Sequence, residues 1–287
     1  MPLVFAAIAP HGGLAIEELC APADRDVALA TRKGLEELGS RFDAADPEVA
    51  VVLTPHNIHV EGAMAVITAG KLSGELKEGG ARRGAFDPKA GRNSVSLEIA
   101  TDRELADRCL TSLRQDGIPA VGVSYGANDA AAGVFPMDWA ILVPLWFMGG
   151  RRPTPVPAVG IAPARDLSDD AHVKAGEALR SAIDASSKRV ALIASCDHAH
   201  AHDPNGPYGF SPAAKVFDAQ VVDIVKRDSL ADLLAIDRAL IRDGKPDSYW
   251  QMLMLHGAIR SGGWRGDLIS YEAPTYFGML CASYLPA

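Results

Sequence analysis

The chain has 287 residues, of which 48% are hydrophobic and 22% charged, and its formal net charge is −8. That length buries a substantial core, while the acidic balance, with no basic cluster to offset it, argues against nucleic acid or an anionic membrane as partner. No stretch reaches the roughly 18 uninterrupted apolar residues of a membrane span, and the opening MPLVFAAIAPHGG lacks the charged start of a signal peptide, so a soluble, cytoplasmic protein is expected.

Along the chain, the first apolar run is LVFAAIA (Leu3 to Ala9), which reads as a buried strand and exits into Pro10-His11. An amphipathic helix is predicted over Arg25 to Leu38, followed by the buried strand VAVVLT (Val49 to Thr54), which exits into Pro55-His56. The Gly- and charge-rich segment from Lys71 to Asn93 reads as a solvated loop or hairpin, with a mobile lid as the alternative. A helix over Asp102 to Asp116 and a strand over Pro119 to Ser124 come next, then the extended connector RRPTPVP (Arg151 to Pro157). The strand VPAVGIA (Val156 to Ala162), a helix over Ser168 to Ser187 and the strand RVALIA (Arg189 to Ala194) continue the alternation. GPYGF leads into a further helix, PDSYWQMLMLHGAI (Pro246 to Ile259) is a helix with Pro246 near its first turn and Gly257 near its end, and Tyr271 to Tyr284 reads as a final pair of strands.

Strand and helix alternate with no internal repeat and no long linker. This predicts an α/β fold: a single domain over residues 1–287, with a mainly parallel or mixed central sheet covered by helices on both faces. Cys20, Cys109, Cys196 and Cys281 lie far apart with no C-x-x-C spacing, so they read as reduced thiols and not as a disulfide framework or zinc knuckle.

In SCDHAHAHDPNGPYG, His198, His200 and His202 alternate. On an extended chain, residues two apart face the same side, so all three can face one cavity, as a metal cage, an acid/base site or a polar loop. His11 and His56 share the placement of this cluster at the exit of an apolar strand, and in an open α/β sheet such exits gather where ligands bind. A lone histidine there is more often a hydrogen-bonded structural residue; recurrence at several exits shifts the weight towards a site. Neutral imidazoles suit Zn, Fe, Cu or Ni, and two histidines with one carboxylate form the facial triad of non-heme Fe(II) sites. Asp247, at the start of an apolar helix, is one candidate carboxylate, although an acid there also simply complements the helix dipole. Asp197, Asp243 and Glu272 are the others.

Four blocks in order, APHGG, VVLTPHNIHVEG, SCDHAHAHDPNGPYGFSPAAKVFD and PDSYWQMLMLHGA, resemble those of the class III extradiol ring-cleavage dioxygenases, the LigB superfamily, from about His11 to the C-terminal strands. The resemblance implies His11 and His56 as two iron ligands, and His59 as a pocket residue. It implies Asp247 as the third ligand, with an Asp where the family has a Glu; the arm is one methylene shorter, so the backbone has to approach the metal more closely. The family's acid/base histidine lies five residues after a Ser, which places it at His200 after Ser195, with His198 and His202 as pocket neighbours. The register stays open by one step of two, because His202-Asp203-Pro204 also resembles a family variant. Many members carry Asp-His-Gly before VPL; here the stretch is MDWAILVPL, with Trp139 in the histidine position. An indole does not shuttle protons, so either His200 works with a neighbour such as His59 or His198, or the protein does not cleave catechols in the usual way; Trp139 can instead stack on an aromatic substrate.

The activity so implied is Fe(II)-dependent opening of a catecholic or related ring by O2, as in the catabolism of aromatic compounds, by a homo-oligomer with no nucleic-acid or membrane partner. Two other readings are a Memo-like non-catalytic protein that keeps part of the metal pocket and a zinc-dependent hydrolase using His200 as base. Trp139 and the Asp for Glu exchange favour the first of these; retention of His11, His56, a carboxylate and His200 weighs against it. Arg151, Arg152 and Lys215 are available cations that read as solvated surface charges.

Overall fold

A computed structural model describes residues 2–77 and 93–287. In chain order the elements are β1 (Leu3–Ala9), α1 (Leu29–Ala45), β2 (Val49–Leu53), β3 (Met64–Ile67), β4 (Lys71–Lys77), β5 (Ser94–Ala100), α2 (Arg103–Gln115), β6 (Ala120–Val123), β7 (Val134–Pro136) and α3 (Trp139–Phe147). These are followed by β8 (Ala158–Ala162), α4 (Asp169–Asp184), β9 (Val190–Ser195), α5 (Pro212–Lys226), α6 (Arg238–Gly244), α7 (Tyr249–Ile259), β10 (Trp264–Glu272) and β11 (Met279–Pro286).

Eight strands form one mixed sheet in the order β10-β11-β1-β9-β2-β8-β3-β6. Its centre, β1, β9, β2 and β8, is parallel, and antiparallel pairs flank it, β11 against β1 and β3 against β8. The central strands read as nearly unbroken apolar runs because both their faces are buried. In β9, Val190, Leu192 and Ala194 join the core under α2, α4, α5 and α7, while Ala191 and Ile193 join the core under α1 and α3. The α/β class with helices on both faces is therefore as the sequence predicts. A second sheet, β5-β4-β7, packs on the α3 side.

Several helix starts follow from local sequence. Asp102, Asp138, Ser168, Ser211 and Asp237 each cap a helix by accepting a backbone N–H. α1 differs: it runs Leu29–Ala45 instead of Arg25 to Leu38, its N-cap Ala28 has no side-chain cap, and its buried stripe of Leu35, Leu38 and Phe42 extends it at the C-terminal end. Glu272 of β10 supplies the missing acceptor, taking Thr31 N–H at 2.6 Å and Thr31 Oγ1–H at 2.7 Å. α4 and α7 pack closely because a Cβ on Gly176 would collide with the Met254 carbonyl, and one on Gly257 with the Val173 carbonyl.

The Lys71 to Asn93 segment begins as β4, which pairs antiparallel with β5, so its described part is one arm of a hairpin. The lid alternative concerns residues 78–92, outside the described residues. The predicted final strand pair is shifted: β10 starts at Trp264, and residues 273–278 form a loop between β10 and β11. β10 is only half-buried, so it lacks the apolar run that marks the central strands. α3 carries Pro144 inside an apolar stretch, which masks its helical pattern. All four cysteines are free and buried. No described helix is long and apolar enough to cross a membrane.

Candidate metal centre

The parallel strands β1, β9 and β2 end at one edge of the sheet, and the segments leaving them converge there with the lead-in to α7. His11 follows β1, its N–H donating to Asp197 Oδ1 at 3.0 Å. Its Nδ1 lies 2.9 Å from Ser195 Oγ, and that hydroxyl spends its one proton on the Ala140 carbonyl at 2.5 Å. Ser195 therefore accepts from His11 Nδ1–H, which turns Nε2 towards the site. His56 follows β2 and is half-buried, its ring edge-on to His11 at 5.2 Å between centroids and 4.6 Å from the ring of Trp139.

Asp247 precedes α7 and is buried. Its Oδ1 accepts the Asp197 N–H at 3.0 Å, while its own N–H donates to the Asp197 carbonyl at 3.3 Å. This reciprocal pair draws the α7 lead-in against the end of β9. That is how an Asp, with its shorter arm, reaches the site. Its Oδ2 lies 3.3 Å from both His11 Nε2 and His56 Nε2.

Among the described residues, His11 Nε2 and Asp247 Oδ2 are buried and meet no hydrogen-bond partner outside this cluster, which is costly unless something within the cluster satisfies them. One ligand atom each from His11, His56 and Asp247 lies within 4.8 Å of the other two. A 3.3 Å separation is what two donors have when each lies about 2.1 Å from a shared cation and they subtend about 100°. The residues fit a metal ion. Electrostatics agree: burial alone would lower the His11 pKa, but Asp197 and Asp247 outweigh it and hold it at about 9 in the absence of a cation. Burial would raise the Asp247 carboxyl, yet His11, His56 and His200 pull it well below the usual range. Burial pushes Asp197 and Asp138 up.

Of the three alternating histidines, only His200 reaches this cluster. Its Nδ1–H donates to the Lys245 carbonyl at 3.1 Å, leaving the Nε2 lone pair 3.8 Å from Asp247 Oδ2. Its ring stacks on Phe277 at 5.5 Å and 19°, with Tyr208 edge-on at 5.4 Å and Tyr276 at 5.9 Å. His198 is fully buried and pairs through Nδ1 with Ser248 Oγ at 3.1 Å; burial lowers its pKa. His202 Nε2–H donates to Asp218 Oδ2 at 2.8 Å. The expectation of a shared face fails because residues 196–203 form no regular strand, only isolated bridges at Asp197 and His202, so the period of two does not hold.

His59 is exposed and makes no hydrogen bond or ring contact with the cluster. Asp243 pairs with Arg242, and Glu272 with Thr31; neither approaches the histidines. Asp197 Oδ2 lies 3.4 Å from His11 Nε2. Trp139, 42% exposed, opens α3 beside His56. Its neighbour Asp138 caps α3 through Oδ1, 3.1 Å from Ile141 N, and leaves Oδ2 buried without a partner. The aromatic wall of Tyr276 and Phe277 carries no signal in the sequence, since it lies in the loop that reads as strand.

The profile of a family described as the catalytic LigB subunit of aromatic ring-opening dioxygenase matches residues 5–280. A Clostridium acetobutylicum protein known by a locus designation is 23% identical over 267 residues, which is 92% of this chain and 53% of that protein. The chain thus spans about half the length of the curated relative it matches. A crystal structure of an uncharacterized Escherichia coli K12 protein aligns with a TM-score of 0.57 at 16% identity, covering 98% of this chain and 99% of that one. At that identity the likeness is one of fold.

Proposed function

The chain belongs to the LigB family, the catalytic subunit of aromatic ring-opening dioxygenase, and on that premise we propose that it is a non-heme Fe(II) extradiol dioxygenase. It would open a catecholic or related ring beside its vicinal hydroxyls, with a small aromatic substrate and O2 as reactants. Residues 1–287 act in this reading as one LigB-like domain of a cytoplasmic homo-oligomer.

His11, His56 and Asp247 would hold the ion. Fe(II), when bound there, supplies the electron-transfer chemistry that O2 requires and lowers the pKa of a substrate hydroxyl. His200 takes that hydroxyl's proton at Nε2, which its Nδ1–H bond to Lys245 keeps as an acceptor. The same imidazole returns the proton as the ring opens. Trp139 on the His56 side offers an aromatic face that orients a planar substrate, while the buried Phe277 backs the His200 ring. Ser195 fixes the rotation of the His11 ring, and Asp197 holds the His11 main chain.

The observation that carries the reading is the convergence of His11 Nε2, His56 Nε2 and the buried Asp247 Oδ2, with no hydrogen-bond partner for His11 Nε2 or Asp247 Oδ2 outside the cluster among the described residues, beside a base with its lone pair free. Its test is anaerobic purification, Fe(II) loading and O2 uptake against a panel of catechols, with the coloured ring-opened product followed by absorbance. Uptake with stoichiometric product supports ring cleavage; tight iron binding without uptake on any catechol overturns it. That second result is the one expected of a Memo-like, non-catalytic protein, which Trp139 in the position of the family histidine favours.

A further inference from the structure

We infer that Asp218 is a positioning residue that aims His200 into the site by clamping both flanks of the loop that carries it. The inference rests on reading His200 as the base, and it concerns a residue that touches neither the metal cluster nor a substrate.

Asp218 lies on α5 and is 1% exposed. Its Oδ1 accepts the N–H of Ala199, one residue before His200, at 2.9 Å. Its Oδ2 accepts His202 Nε2–H, two residues after, at 2.8 Å, and Tyr271 O–H at 2.6 Å. A single carboxylate therefore grips the loop on both sides of the base and ties it to β10. The close fit is built into the chain, since a Cβ on Gly278 would collide with Asp218 Oδ2. Gly278 in turn donates its N–H to the Ala199 carbonyl at 3.2 Å and accepts from His198 N–H at 2.8 Å.

Among the described residues, His200 itself makes two hydrogen bonds, its N–H to the Gly244 carbonyl at 2.9 Å and its ring Nδ1–H to the Lys245 carbonyl. Gly244 closes α6 and Lys245 opens the linker that continues into Asp247. The direction of Nε2 is thus set where the α5-anchored loop meets this linker, and a loop without regular backbone pairing needs the side-chain anchor to hold that meeting point. The three metal-holding residues leave β1 and β2 or enter α7, so releasing the clamp moves the base relative to them without removing a donor. His202, for which the sequence offered a catalytic register, is on this account one half of the clamp.

Asp218→Ala leaves buried donors unpaired and risks misfolding, so the test uses His202→Leu, which removes the donor on a partly exposed side chain, and His202→Gln, whose side-chain N–H can restore it. Three measurements are made on the full chain: a Co(II) binding isotherm, the ring nitrogen and proton resonances of His200, and kcat and KM on the ring substrate. His202→Leu is expected to keep Co(II) affinity within about twofold, to shift the His200 Nδ1–H resonance, and to lower kcat by about 100-fold with KM little changed; His202→Gln recovers most of both. His200 resonances identical to the parent's in His202→Leu overturn the clamp whatever the activity. A loss of Co(II) affinity that matches the loss of turnover overturns it too, because it points to general disruption. If the parent turns over no ring substrate yet the His200 resonance shifts and is rescued, the clamp stands and the dioxygenase reading falls.

Discussion

At the scale of single residues, the facing atoms His11 Nε2 and Asp247 Oδ2 dominate the electrostatics of the sheet edge. Burial opposes a charge on His11, but Asp197 and Asp247 hold its pKa up to about 9, so without a cation the imidazole keeps a second proton, on Nε2, through the neutral range. A divalent ion must displace that proton. Its apparent affinity is therefore expected to rise with pH by about tenfold per unit up to about pH 9 and then level off, with one proton released per ion below that point; calorimetry in buffers of differing ionisation enthalpy checks it. His11→Ala and Asp247→Ala remove a donor outright, and Co(II) or Fe(II) affinity is expected to fall by more than about 100-fold. Ser195→Ala leaves the donor but frees its rotation, for an expected loss of about 10- to 100-fold, the range for residues that orient a ligand. His200→Ala is expected to bind metal as the parent does and to lose turnover, and retained turnover would remove it from the role of base.

At the scale of elements, the lead-in to α7 places Asp247, and two glycines set where α7 lies. Gly257→Ala drives a methyl into the Val173 carbonyl; overpacking of this kind costs about 1–3 kcal/mol. Because the helix shift also moves Asp247, metal affinity should fall with stability, whereas a variant that lost stability alone would show that the lead-in is anchored independently by Asp197. Glu272 caps α1 from a strand more than 200 residues away in sequence. Glu272→Ala should lower stability by about 0.5–2 kcal/mol, the usual worth of a helix cap, with metal binding unaffected; urea unfolding monitored by circular dichroism measures it. The elements themselves were legible to different degrees. β1, β2, β8 and β9 stand out because burial on both faces leaves an apolar run, and α2 and α4 because Asp102 and Ser168 cap them. β10 and α3 were not, the first half-exposed and the second interrupted by Pro144.

At the scale of the molecule, parallel order at the centre of the sheet makes one edge the meeting place of segments far apart in the chain: residues 11, 56, 197–202 and 247 all arrive there. Each segment brings a part that is useless alone. The helical layers on the two faces bury the strands, and the loops at this edge keep the polar groups. Trp139 lines the same edge, so Trp139→His is a direct test of what the family's departure does here. If the indole only stacks on the substrate, KM should rise with kcat little changed; a rise in kcat would show that the site lacks a second proton carrier.

The amino-acid sequence by itself determined the central strands, their α/β alternation and the histidines at their exits, because side-chain periodicity and strand-end residues are local properties that burial writes directly into the chain. It also contained Asp247 as one of several acids, without a physical reason to prefer it. Tertiary structure decided the rest. Which of His198, His200 and His202 faces the cluster depends on an irregular backbone held by Gly244, Lys245, Asp218 and Gly278. That Asp247 reaches His11 and His56 depends on its reciprocal bonds with Asp197. Those partners lie from about 20 to 80 residues away in the chain, and no local pattern carries the direction in which such a loop turns.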